Sequence, residues 1–200
     1  MLKDLGVQVA RQPIFDVNLD IFGYELLYRS SFVNHYDGIN GDQATLDVIR
    51  NSFLRIGIDT LTNGKRAFIN FTTNCLKNNL PVMLPKEILG VEILEDVLAD
   101  EEIINVCQKL KQNGYLLVLD DFVFTPERLS LVELADIIKI DFRTTSPKDR
   151  RQLLQRLRNY RLKFLAEKIE KHEEFQEALH LGFSYFQGYF LSKPSIIASK

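Results

Sequence analysis

The sequence predicts an α/β fold: a TIM-like (β/α)8 barrel whose first strand runs antiparallel to the rest. Three observations carry this. Short apolar runs alternate with stretches of helical spacing along the chain, the pattern of βα units and a largely parallel sheet. With an initial pair, the runs number about eight, the count that closes a barrel. Run after run also ends in an acid, an amide or a lysine, as strands do at the face where such folds place their chemistry. An open doubly wound sheet is the alternative. At 200 residues the chain is near the short end for barrels, roughly 200 residues, so its helices must be short or some missing.

Residues 7–15 read as a strand, residues 16–20 as a turn rich in Asp and Asn, and residues 22–28 as the returning strand. The two form an antiparallel hairpin, so the first strand cannot run with the others. Residues 42–56 have helical spacing, with Leu46, Ile49, Phe53 and Ile56 on one face and Asp42 as N-cap. Strands follow near Phe68, Val91, Leu117, Ile138, Leu165 and Phe186. Helices follow over residues 101–112, 126–134, 147–160 and 173–181. Gly114 and Gly182 stand where helices should stop.

Composition excludes several classes. Apolar content is 46%, charged content 26% and net charge −2, ordinary for a globular domain and without a global pull toward DNA or anionic membrane. Two distant cysteines, Cys75 and Cys107, make neither a disulfide framework nor a zinc knuckle and fit a reducing cytoplasm. Residues 1–6 show no secretory apolar core, and no apolar run approaches membrane-spanning length. The chain, 1–200, is expected to be one barrel domain cut from a longer protein, because its end does not close with a helix.

Asp120-Asp121 ends the run Tyr115-Leu116-Leu117-Val118-Leu119. At a strand's end both carboxylates can bend to one site and serve two cations; the alternative is a cap for the next helix. Converging carboxylates repel unless a cation sits among them. Glu25, Asn70, Glu92, Asp120 and Asp121 are hard oxygen ligands suited to Mg²⁺ or Mn²⁺, and two such ions would activate a water toward a phosphoester. Lys139 and Asp141 share a strand face, either reaching a barrel mouth or forming a buried ion pair. Glu167 and Glu170 end another strand, as site acids or as helix N-terminal acids. Arg29 is a candidate phosphate ligand or a surface residue. The basic residues from Lys148 to Lys163, Arg150 among them, read as a solvated helix face over Leu153, Leu154 and Leu157, or as a nucleic-acid patch. His35, His172 and His180 lack metal-ligand spacing.

In this order the residues resemble the EAL domain family of bacterial cyclic di-GMP phosphodiesterases. Gln12-Pro13-Ile14 resembles the opening strand and Tyr24-Glu25-Leu26-Leu27-Tyr28-Arg29 the signature segment. Ile69-Asn70-Phe71, Glu92-Ile93-Leu94-Glu95, Leu119-Asp120-Asp121-Phe122, Lys139-Ile140-Asp141, Glu167 with Glu170, and Gln187-Gly188-Tyr189 with Pro194 follow. The likeness is greatest to the branch whose EAL domain precedes an HDOD domain. It implies a TIM-like barrel with its first strand antiparallel. It implies that Glu25, Asn70, Glu92 and Asp120 bind one divalent ion and that Asp120 and Asp121 bind a second. Lys139 would sit by the attacking water, with Glu167 and Gln187 completing the site. Glu95 and Glu170 would order the loop after the Asp pair, and Gln12, Arg29 and Pro194 would meet the dinucleotide. The implied partners are cyclic di-GMP, a downstream HDOD-type domain and a second subunit in a homodimer.

The chain departs from the family at several positions. Leu26 replaces Ala. Val123 replaces the Gly after Asp-Asp-Phe, and Phe124-Thr125-Pro126 replaces a loop of small residues. Lys168-Ile169 replaces the usual Gly-Val. Val and Pro restrict backbone freedom that glycine gives. Two readings follow: a metal-dependent cyclic di-GMP phosphodiesterase, or a catalytically weak EAL domain that serves as a receptor or interaction module. An unrelated phosphoester hydrolase on a barrel is a third.

Overall fold

A computed structural model provides the structure of the protein, described for residues 8–29 and 41–197. Strands β1 (Gln8–Asp16) and β2 (Ile21–Arg29) form the expected antiparallel hairpin, in register from Gln8 opposite Arg29 to Ile14 opposite Gly23. Asp16 builds the turn: its carboxylate accepts from the backbone N–H of Asn18 and Asp20. β2 then pairs in parallel with β3 (Arg66–Phe71), and the parallel series continues through β4 (Leu89–Ile93), β5 (Leu116–Leu119), β6 (Ile137–Asp141), β7 (Lys163–Glu167) and β8 (Tyr185–Phe186). β8 closes onto β1 through Phe15 and Asp16, antiparallel. The expected eight-stranded barrel is present, with β1 its one reversed strand. A ninth strand, β9 (Ser195–Ile197), lies antiparallel on the start of β1 and was not expected.

The outer layer follows the predicted helices with shifts at the ends. Helix α1 (Gly41–Arg50) runs on into a π-helical stretch, Asn51–Ile56, in place of one continuous α-helix. Of the predicted face, Ile49, Phe53 and Ile56 pack against the core, joined by buried Thr45, Asp47 and Val48, whereas Leu46 is 43% exposed. Thr45 sets that face by donating its hydroxyl to the carbonyl of Asn70, at 2.8 Å. Asp42 lies in the first turn and accepts from the side chains of Thr72 and Asn74. Two short helices, α2 (Ile58–Thr62) and α3 (Thr73–Lys77), were not expected. α4 (Glu101–Gln112) has the predicted bounds, with Asp100 capping Ile103 at 2.8 Å and Gly114 at φ 86° after its end. α5 (Leu129–Leu134) follows a 3₁₀ turn, Pro126–Arg128. α6 (Pro147–Leu157) stops earlier than predicted, and α7 (His172–His180) ends before Gly182, at φ 82°.

Leu153, Leu154 and Leu157 face inward as expected. Arg150 is a correction: the predicted solvated residue is buried. It donates to the carbonyls of Phe142 (3.1 Å) and Thr145, pairs with Glu177 at 2.7 Å, and lies over the Phe142 ring.

One apolar cluster fills the barrel itself: Ile14, Phe68, Val118, Ile137, Leu165 and Tyr185, with Phe22 and Leu116 against it. A larger cluster joins the outer strand faces to the helices. Gly23 and Gly90 make room for the Phe68 ring, since a Cβ on either would meet it at 2.6 Å.

Candidate active site

Strand geometry positions the polar residues directly. Successive side chains alternate faces, so the residue two beyond an interior apolar position also points inward, one layer nearer the mouth. Glu25 follows Gly23, Asn70 follows Phe68, Glu92 follows Gly90, and Asp120 follows Val118. Lys139 follows Ile137, Glu167 follows Leu165, and Gln187 follows Tyr185. On reversed β1, Gln12 precedes Ile14 and sits opposite Glu25. Beyond β5 the ladder continues: Asp120 N–H donates to the Ile93 carbonyl at 3.0 Å, and Phe122 N–H to that of Lys139 at 3.0 Å.

Lys139 occupies the centre with 1% of its side chain exposed. Its Nζ lies 2.6 Å from Asp120, 3.3 Å from Glu92, 3.3 Å from Glu167 and 3.6 Å from Glu25. Gln187 donates to Glu25 Oε2 at 2.7 Å and Asn70 to Glu25 Oε1 at 3.3 Å. Four carboxylates against one ammonium leave three negative charges uncompensated if all are ionised. Burial raises Glu92 and Glu167 well above the ordinary Glu range and raises Asp120, repulsion among the acids adds to it, and Lys139 opposes it. Burial alone would lower Lys139, but Asp120, Glu167, Glu25 and Glu92 together hold it well above the ordinary lysine value. The cluster therefore favours a shared proton or an added cation.

Among the described residues no three His, Cys, Asp or Glu side chains stand in a ready metal-binding arrangement; the acids converge instead on Lys139. Their chemistry nevertheless fits a hard divalent ion. All are oxygen donors. The outward end of the Asn70 amide lies 3.2 Å from Glu92 Oε2 and 3.3 Å from Asp120 Oδ2; without a cation the amide NH₂ suits these two acceptors, and beside a cation the amide oxygen would take its place. Gln187 Oε1 is buried with no hydrogen-bond donor among the described residues.

A cavity of about 370 Å³ opens over this cluster, lined by Gln12, Glu25, Asp120, Lys139, Glu167 and Gln187, with Asp121, Glu170 and Pro194 also on its wall. Gln12 is held by the Ser192 carbonyl at 3.1 Å. Asn70 faces an adjoining cavity with Glu95, and Glu92 is fully buried. Glu170, on the wall of the same cavity as Glu25 and Lys139, pairs with Arg143 at 3.4 Å. The Arg29 side chain and the whole of His35 lie outside the described residues.

Sequence reasoning missed the role of Lys168 and the partner of Asp141. Lys168 Nζ donates to both oxygens of Asp121, at 2.9 and 3.0 Å, and to Asp141 at 2.8 Å. Burial raises Asp121, but hydrogen bonding with Glu167 and pairing with Lys168 outweigh it and leave Asp121 below the ordinary aspartate value. Asp121 at φ 39° and Lys168 at φ 56° occupy the left-handed region. Val123 does not, so glycine's freedom is not required there; it is 67% exposed beside a second cavity of about 300 Å³ shared with Phe122 and Phe124. The glycine-to-lysine departure was the available signal.

The EAL domain family model matches residues 39–194. The protein YuxH of Bacillus subtilis strain 168 is 47% identical over 199 residues, covering 97% of this chain and 49% of YuxH. The cyclic di-GMP phosphodiesterase CdgJ of Vibrio cholerae serotype O1 is 40% identical over 195 residues, covering 96% of this chain and 45% of CdgJ. The chain thus spans about half the length of the curated relatives it matches. Among solved structures, an EAL domain protein from Listeria monocytogenes EGD-e aligns with TM-score 0.74 at 21% identity, over 96% of this chain and 90% of that one. The Bacillus subtilis YkuI protein, solved with cyclic di-GMP and calcium, aligns with TM-score 0.72 at 22% identity, over 96% and 56%. At these identities the likeness is one of fold.

Proposed function

The chain belongs to the EAL domain family, and on that premise we propose that it hydrolyses cyclic di-GMP, opening one phosphodiester to give the linear dinucleotide. The observation that supports this most is the convergence of Glu25, Asn70, Glu92, Asp120, Glu167 and Gln187 around Lys139 at the carboxyl ends of the strands. Glu25, Asn70, Glu92 and Asp120 would hold one Mg²⁺ or Mn²⁺, and Asp120 with Asp121 a second. Such an ion supplies Lewis-acid polarisation of the phosphoryl oxygens and a bound water of lowered pKa.

The chain's own residues do the remainder. Water adds to phosphorus, one P–O ester bond breaks, and the departing oxygen takes a proton from solvent at the cavity mouth. Lys139 Nζ holds the attacking water or a phosphoryl oxygen in a site from which bulk water is largely excluded. Glu167, whose proton affinity burial raises, takes the proton that water gives up. Gln187 fixes the Glu25 carboxylate at 2.7 Å. Gln12, Arg29 and Pro194 meet the dinucleotide, and Glu170 supports the rim through Arg143.

A cytoplasmic setting, a homodimer and a downstream HDOD-type domain belong to the same proposal; the mass in solution tests the second, and the remaining sequence of the full-length protein tests the third. No helix among the described residues is long and apolar enough to cross a membrane. A second reading, a receptor with little turnover, is favoured by one observation: Lys168 donates to both oxygens of the Asp121 carboxylate.

Cyclic di-GMP incubated with the protein and Mg²⁺ or Mn²⁺, beside Glu25→Ala, separates the two. The enzyme reading expects linear product from the wild type and loss of it in the variant. Tight binding with Ca²⁺ and no turnover with any of the ions would leave the receptor reading.

A further inference from the structure

Asp120 and Asp121 are neighbours in sequence, yet each turns to a different lysine. Asp120 meets Lys139 at 2.6 Å inside the barrel. Asp121 meets Lys168 at 2.9 and 3.0 Å on the cavity wall. The same Lys168 ammonium reaches Asp141 at 2.8 Å, and Asp141 is itself anchored by the N–H groups of Arg143 at 2.6 Å and Thr144 at 3.3 Å.

The backbone brings the two side chains together, with 42% of the Lys168 side chain and 34% of that of Asp121 exposed. Asp121 and Lys168 both sit at positive φ, where a side chain costs energy that glycine would not. The side chains of these two residues bond to each other. The segment carrying Lys168 is also pinned from behind. Ile169 N–H donates to the Gln187 carbonyl at 3.1 Å, and Phe190 N–H to that of Ile169 at 3.0 Å. Gly188 packs so closely that a Cβ there would stand 2.1 Å from the Ile169 carbonyl oxygen.

We propose that Lys168 is a tethered cation of the active site: its ammonium compensates Asp121 and Asp141 in place of a second divalent ion, so the protein binds one such ion tightly and a second only when Lys168 withdraws. The inference rests on reading the strand-end acids as a metal centre. Its physical basis is that a fixed positive charge about 3 Å from both Asp121 oxygens repels a second cation and occupies its ligand. An opposite charge within about 4–6 Å shifts a proton equilibrium by about 10- to 1000-fold, and a like charge acts with the opposite sign. Lys168 thereby acts as a positioning residue and sets how many ions the site takes.

Counting bound Mn²⁺ tests this, by electron paramagnetic resonance of free ion and by titration calorimetry. The wild type is expected to bind one Mn²⁺ tightly and a second at least about tenfold more weakly. Lys168→Asn and Lys168→Gly, both suited to the left-handed backbone, are expected to tighten the second ion by about 10- to 1000-fold. Lys168→Arg keeps the charge and is expected to keep the wild-type count. Two equally tight ions in the wild type overturn the proposal, as does an unchanged second affinity in both neutral variants, or no Mn²⁺ bound by any of the proteins. Should neither neutral variant fold, the wild-type count alone decides. Cyclic di-GMP turnover is read separately. Absence of turnover with the expected shift in ion count overturns the proposed reaction and leaves this inference standing; turnover with an unchanged count does the reverse.

Discussion

Glu92 and Glu167 are buried beside Lys139, and burial holds both well above the ordinary Glu value. Their folded pKa values exceed those of the unfolded chain, so their protonation stabilises the fold. That contribution is complete below the unfolded value of about 4.3 and is lost as pH rises through the folded values. Asp42, Asp100 and Asp121 are shifted the other way, and their contributions are lost only as pH falls below about 4. The ion-free protein is therefore expected to melt at a falling temperature as pH is raised from about 5 to about 8. Millimolar Mn²⁺ should flatten that slope, and Glu92→Gln should reduce it. Thermal denaturation in chelator and in Mn²⁺ checks this; a rising slope in chelator would contradict it. Single residues were legible in the sequence at strand ends, where the strand direction by itself carries a polar residue that closes an apolar run to the mouth. Lys168 was not, because its role depends on a backbone angle and on an aspartate 47 positions away. Val123 stood out in the sequence for lacking glycine's freedom, yet its backbone does not use the left-handed region.

Among the secondary-structure elements, the site is an outcome of period two. Each inward residue of the middle layer carries the next inward residue into the mouth, and the middle layer is sealed around Phe68. Gly90 on β4 is fitted to that ring, with a hypothetical Cβ 2.6 Å from Cδ1 and 2.8 Å from Cε1. Gly90→Ala is expected to cost about 1–3 kcal/mol by overpacking and to displace Glu92 two residues on. Chemical denaturation reads the first effect. Unaltered stability would show that Phe68 has room to move. Strand positions were readable because alternation and turn residues agree. The helical face of α1 was readable through Ile49, Phe53 and Ile56, which pack against the core, but not at Leu46, since the Thr45 bond to the Asn70 carbonyl turns that position outward. Arg150 was likewise hidden: its basic neighbours are exposed, and only the fold brings Glu177 and the Phe142 and Thr145 carbonyls around it.

For the barrel taken entire, closure is what gathers the acids. β1 must run backward to pair with both β2 and β8, and this puts Gln12 opposite Glu25 at the mouth. The number of strands and the reversed first strand could be argued from apolar runs and one turn. The β9 contact on β1 could not, because its residues Ser195–Ile197 carry no strand signal of their own at that length. Whether this closed face is a divalent-ion-dependent phosphodiesterase centre is decided by following linear dinucleotide released from cyclic di-GMP. Release is measured in Mn²⁺, after chelation, and after Mn²⁺ is restored, with Asp120→Asn in parallel. Product is expected in Mn²⁺, none after chelation, and recovery on restoration. Asp120→Asn is expected to lose more than the about 100-fold upper value typical of residues that only support a ligand. Product formation that survives chelation, or an Asp120→Asn protein as fast as the wild type, would contradict a metal-dependent centre at this face.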